Sequence, residues 1–168
     1  MRPPLTEQEL AQLVLRPGSQ IPLITAPSAS GRDVHLWQFK QRRHIALYFL
    51  HDSGCERCRA IMHEIAGNRA AYSEQEVEPV VVLQELVGGI QAFAAETDLG
   101  LALLADTDGS RVRRFLALER GERAPLALFI ADRYSTLWDQ RVAQLHDELP
   151  TQDEIISWFG FINTRCTL

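Results

Sequence analysis

"YFLHDSGCERCRAIMHEI", residues 48–65, runs from an apolar stretch through a polar turn into a helical pattern, and two cysteines stand where the pattern changes. The apolar stretch begins earlier, as "HIALYFL" from His44 to Leu50. So continuous a run predicts a strand buried on both faces. From Cys55 onward the period is helical: Cys58, Ile61, Met62 and Ile65 fall at i, i+3, i+4 and i+7, a single inward stripe. Cys55-Glu56-Arg57-Cys58 therefore opens a helix directly after a central strand. At a helix start, residues i and i+3 share a side and come within disulfide reach. The first cysteine meets the unpaired N–H groups and positive dipole end, which favour a thiolate. A free thiol of pKa ~8.5 is only slightly ionised at neutral pH, so this stabilisation matters for reactivity. Cys55 is the expected nucleophile, and Cys58, on the inward stripe, the expected resolving thiol.

The chain of 168 residues has room for one full core. Its 46% hydrophobic and 23% charged residues are those of a globular protein rather than a disordered or collagen-like one. A net charge of −5 speaks against a nucleic-acid partner, which needs a basic face. The longest apolar runs, such as "LALFIA", are strand-sized, so no membrane span is expected. The opening "MRPPLTEQELAQLVLRPG" lacks the unbroken apolar stretch of a signal peptide, and the expected location is the cytoplasm. In a reducing compartment a closely spaced cysteine pair points to redox or metal chemistry rather than to a structural bridge.

Outward from the cysteines, residues 1–17 read as a lead-in helix with Leu10, Leu13 and Val14 on one face, and residues 18–168 as one domain. "GSQIPLITAPSASGRDVHLWQF" predicts a hairpin followed by a helical turn at Leu36–Phe39. "VEPVVVLQE", "LALLAD", "PLALFIAD" and "STLWDQRV" predict strands, the last two joined as a hairpin through Arg133-Tyr134-Ser135. "GIQAFAAETDL" predicts a helix, "SRVRRFLAL" a short basic one, and Thr151 with Glu154 a capping box for a closing helix. Strands alternating with helices require right-handed crossovers, and the late hairpin adds an antiparallel edge. The expected class is α/β, a central mixed β-sheet flanked by α-helices with a short N-terminal extension.

These residues resemble the thioredoxin-like superfamily: a strand ending "LYFL", a Cys-x-x-Cys opening a helix, and a proline before a late strand in "RAPLALFIAD". The "GSQIPL…SGRDVHLWQF…HIALYFL" lead-in is similar to the redoxin branch, which groups peroxiredoxin-like AhpC/TSA domains with thioredoxin-like reductases. The resemblance implies that the Ala124–Pro125 bond is cis and that this loop packs beside the dithiol as a substrate groove. Two departures narrow the activity. The peroxiredoxin Pro-x-x-x-Thr/Ser-x-x-Cys loop is absent, since counting back from Cys55 gives Asp52 and Tyr48, and from Cys58 gives Cys55 and His51. The buried aspartate of thioredoxins is replaced by Tyr48, before Phe49.

The leading expectation is a thiol–disulfide oxidoreductase, with Cys55 attacking and Cys58 resolving. A peroxidase oxidised at Cys55 and a redox-inactive binding module are the alternatives. Arg57 and Arg59 favour a thiolate, whereas Glu56 and Asp52 oppose it. His51 and Arg123 are further candidate modulators; a solvated loop histidine is the plainer reading of His51. No cofactor is implied, and no metal, because only His51 is near in sequence and no second cysteine or histidine pair exists. Expected partners are a disulfide-bearing protein, or a small thiol or peroxide, and a cellular dithiol reductant. Cys166 reads as a bystander tail thiol, Trp37 and Trp138 as core or groove-lining residues, and Arg111, Arg113 and Arg114 as a solvated face.

Overall fold

The computed structural model describes residues 6, 7, 11 and 13–165. Cys166, and most of the stretch expected as a lead-in helix, Leu10 included, lie outside the described residues. Leu13 forms an isolated bridge with Leu116, and Val14 is exposed, so these two do not share an inward helical face.

A short hairpin of β1 (Thr25–Pro27) and β2 (Asp33–His35) precedes a 3-10 turn at Leu36–Phe39. The chain continues through β3 (His44–Leu50), α1 (Glu56–Gly67), α2 (Arg69–Glu74), β4 (Val77–Leu83), α3 (Val87–Thr97) and β5 (Ala102–Ala105). After a 3-10 turn at Val112–Arg114 come β6 (Leu126–Ala131), β7 (Leu137–Ala143), a 3-10 turn at His146–Glu148 and α4 (Gln152–Arg165). The sheet has five strands in the order β5-β4-β3-β6-β7. β3 pairs parallel with β4 and β4 with β5, while β6 runs antiparallel to β3 and β7 antiparallel to β6. It is thus a mixed sheet, with the expected antiparallel edge.

β3 is buried at every residue because the pleat sends alternate side chains into different cores. Ala46, Tyr48 and Leu50 join Cys58, Met62, Ile65, Phe93 and Phe159 under the helices. Ile45, Leu47 and Phe49 join Phe115, Phe129, Ile24 and Leu36 on the opposite face. Successive right-handed crossovers stepping the same way, β3 to β4 to β5, put α1 and α3 on one face. The other face is covered by the N-terminal hairpin and the 3-10 turns at Leu36–Phe39 and Val112–Arg114. Trp37 departs from expectation: on its tight turn Leu36 takes the inward position, leaving Trp37 60% exposed. Trp138 is half-buried and donates from Nε1 to Asp132 Oδ2 at 2.8 Å. Arg111 also departs from a purely solvated role, since its Nε donates to the Thr25 carbonyl at 2.7 Å.

His44, at the start of β3, is fully buried and held in its neutral form. The Arg133 N–H donates to Nδ1 at 3.0 Å, which leaves Nε2 to donate to Asn163 Oδ1 at 2.6 Å. Asn163 is oriented for this by donating from Nδ2 to the Gln75 carbonyl. Burial, with the charge of Arg133, lowers the His44 pKa below the ordinary 6.5 against the pull of Asn163, Asp132 and Glu76. The stability that His44 contributes is therefore fully present above pH 6.5, and is lost as the pH falls through its lower folded value. Thermal unfolding between about pH 7.5 and 5 should show a falling Tm, with a shallower fall in His44→Gln. Equal slopes in the two proteins would remove His44 as the cause.

Candidate active site

The site lies at one end of the strands because the topology delivers its parts there. β3 and β7 run the same way, each antiparallel to β6, so the segments leaving β3 and β7 and the segment entering β6 meet at the same end of the sheet. The first carries His51, Cys55 and Cys58, the second His146 and the third Arg123.

A local hydrogen-bond set shapes the loop after β3. Gly54 N–H donates to Asp52 Oδ1 at 2.9 Å and Cys55 N–H to the Asp52 carbonyl at 3.3 Å. The Ser53 hydroxyl donates to Glu85 Oε2 at 3.0 Å, tying the loop to the segment after β4. Arg59 does not reach the thiols: its Nε donates to the Ser53 carbonyl and its guanidinium sits over the Phe93 ring. It braces the loop, where the sequence suggested a thiolate partner.

Cys55 is the N-cap of α1, half-buried, and its Sγ accepts from the Cys58 N–H at 3.4 Å. The sulfur thus occupies the place of an N-cap oxygen, next to an otherwise unpaired helix donor. Cys58 is fully buried one turn on. Burial, followed by the hydrogen bond with Cys55, pushes its thiol up to about 12, so it stays protonated at neutral pH.

His146 is the residue that sequence reasoning missed. Its Nε2 lies 3.5 Å from Cys55 Sγ and 3.2 Å from Cys58 Sγ, across 91 and 88 residues of chain. Its 3-10 turn is fixed by Glu148 Oε1, which accepts from the Leu145 N–H at 2.8 Å. His51 packs edge-on against His146 with ring centroids 5.4 Å apart. The ligand atoms of His51, Cys55, Cys58 and His146 all lie within 4.8 Å of one another. Arg123 Nη2 donates to His51 Nδ1 at 3.1 Å, and Arg57 is exposed on α1. Burial lowers the His146 pKa, and the charges of Arg57 and Arg123 lower it further against Asp147. His51 is lowered by burial, then by Arg123 and His146, against Asp52. Both imidazoles are thereby favoured in the neutral form, able to accept a proton.

The segment before β6 stands beside the cysteine loop through the Arg123–His51 contact, and Ala124 and Pro125 are buried there. The expectation of a cis bond is overturned: no described peptide bond is cis, so Ala124–Pro125 is trans. Pro125 immediately precedes β6, where no ladder N–H is needed and proline fits an extended trans chain.

Solved structures share this architecture. Peroxidoxin BcpB from Mycobacterium tuberculosis superposes with a TM-score of 0.77 at 16% identity, over 88% of this chain and 98% of that one. A reduced 2-Cys peroxiredoxin from Plasmodium vivax gives 0.76 at 19%, over 88% and 96%. A thiol:disulfide interchange protein DsbE from Chlorobium tepidum, described as putative, gives 0.69 at 22%, over 87% and 99%. No curated protein sequence matches. The AhpC/TSA family model matches residues 17–137, from before the β1–β2 hairpin to the first residue of β7. Most of the chain, dithiol included, falls inside that match, and the protein belongs to the AhpC/TSA family.

Proposed function

We propose that the protein is a thiol-dependent peroxidase, with Cys55 as the oxidised thiol and Cys58 as the resolving one. The observation that carries this is the pairing of a half-exposed N-cap sulfur with a buried thiol one turn on, His146 Nε2 touching both. The family match, and the peroxiredoxins among the structural neighbours, favour a peroxide over a disulfide as the oxidant. The Cys55 thiolate attacks the terminal oxygen of ROOH and the O–O bond breaks. The hydroxyl stays on sulfur as a sulfenic acid, and the departing alkoxide takes up the proton that the Cys55 thiol released on ionising and leaves as ROH. Cys58 gives its proton to His146, and its sulfur attacks the Cys55 sulfenic sulfur. The departing hydroxide takes that proton and leaves as water, closing the disulfide. A cellular dithiol reductant then exchanges with the disulfide and restores both thiols. A reducing compartment such as the cytoplasm suits this cycle.

Disulfide exchange at the same pair is the second reading. It is favoured by the absent peroxide-holding Pro and Thr/Ser, in whose places Tyr48 and Asp52 stand. Stopped-flow mixing of the reduced protein with hydrogen peroxide and, separately, with a model disulfide discriminates the two. The proposal expects the peroxide to oxidise the pair faster at equal concentration. Faster reaction with the disulfide would hand the site to the second reading.

A further inference from the structure

We propose that the reduced site is also a zinc site, in which Cys55, Cys58, His51 and His146 bind one Zn²⁺ as a tetrahedral Cys₂His₂ set. Counting ligands along the sequence finds only three, because the fourth arrives from the turn after β7. Two thiolates and two imidazoles are the donor set of structural zinc sites. Zn–S bonds of ~2.3 Å and Zn–N bonds of ~2.05 Å at tetrahedral angles put sulfur and nitrogen ligands about 3.6 Å apart. The two measured sulfur-to-His146 separations, 3.5 and 3.2 Å, already match that edge length. The largest separation in the set, within 4.8 Å, needs a contraction of only about 1 Å, which half-buried loop side chains can make. Zinc is itself redox-inert; binding it displaces the thiol protons to solvent, that of Cys58 included, and its two charges are then neutralised by the two thiolates. Closing the Cys55–Cys58 disulfide removes both sulfur ligands, so only the reduced protein holds the ion.

Arg123 opposes this state. It donates to His51 Nδ1, which ties up that lone pair, and its charge repels a cation. If Nδ1 is the ligand, Arg123 competes for it directly. If Nε2 is the ligand, Nδ1 must carry the proton and the Arg123 contact must break. Either geometry makes Arg123 a brake on zinc binding.

The test is titration of the anaerobically reduced protein, freed of added thiol, with Co²⁺ as a spectroscopic probe and then with Zn²⁺. One Co²⁺ per chain with the visible bands of a tetrahedral thiolate site, displaced by Zn²⁺ and absent from the disulfide form, is the expected result. His146→Ala and His51→Ala should each weaken Zn²⁺ binding by more than about 100-fold, beyond the range for losing an outer-shell partner. Arg123→Gln, which removes no ligand, should tighten it. A reduced wild type without tetrahedral cobalt bands would overturn the proposal. So would histidine variants that bind as tightly as wild type, or weaker binding in Arg123→Gln. Metal binding is read without peroxide turnover or reaction with a substrate disulfide, so its failure and a failure of the peroxidase reading are separately visible.

Discussion

Cys55→Ser is expected to lower peroxide reduction by on the order of 10³-fold or more, to the uncatalysed background, whereas Cys58→Ser keeps the first oxidation. The asymmetry follows from burial and from the helix. Cys55 Sγ stands at the N-cap of α1, half-exposed, where a peroxide can reach it and the Cys58 N–H donates to the sulfur. Cys58 is fully buried with its thiol pushed up to about 12, so it is a poor first nucleophile. A serine at position 55 keeps the cap acceptor, so the variant should fold, but its hydroxyl is not a nucleophile toward peroxide. Cys58→Ser should instead stop after one turnover with a sulfenic acid on Cys55, detectable by a dimedone adduct. Residual turnover in Cys55→Ser, or an adduct on Cys58 in wild type, would reverse the two roles.

The legible part of this site is the part encoded locally. The apolar run His44–Leu50 and the change of period at Cys55 are one-dimensional signals, and β3, α1 and the N-cap position of Cys55 follow from them. The β6–β7 hairpin was legible for the same reason: its turn residues lie next to its strands. What the sequence hid depends on packing. Arg59 looked like a thiolate partner by proximity, yet Phe93 and the Ser53 carbonyl hold it away. Pro125 carried the position of the family's proline without its isomer, since strand entry alone satisfies a trans bond. His146 gave no local signal. Only the strand order shows that β7 runs with β3, and that whatever follows β7 lands beside whatever follows β3. Once β6 pairs antiparallel with β3, the β6–β7 hairpin returns the chain to the end of the sheet that carries the cysteines.

His146→Gln is expected to slow closure of the Cys55–Cys58 disulfide by roughly 10²- to 10⁴-fold, the usual worth of a positioned general base, while leaving the first oxidation of Cys55 nearly unchanged. The step that needs help is the second. Cys58 must lose a proton to attack the sulfenic sulfur, and burial holds that proton tightly. His146 Nε2, 3.2 Å away, is placed to take it, and the lowered pKa of the imidazole leaves it neutral and ready to accept. Glutamine preserves polarity and approximate reach but cannot accept a proton at neutral pH. His146 is half-buried on a turn held by the Leu145–Glu148 contact, so the fold should be little disturbed, within about 0.5 kcal/mol. Rapid mixing of the metal-free variant with one equivalent of hydrogen peroxide, quenched at intervals, should reveal accumulated sulfenic acid where wild type shows mainly disulfide. Disulfide closing at the wild-type rate would remove His146 from the chemistry. Equal slowing of both steps would mean that it only holds the loop in place, since a base for Cys58 has no work to do before the sulfenic acid exists.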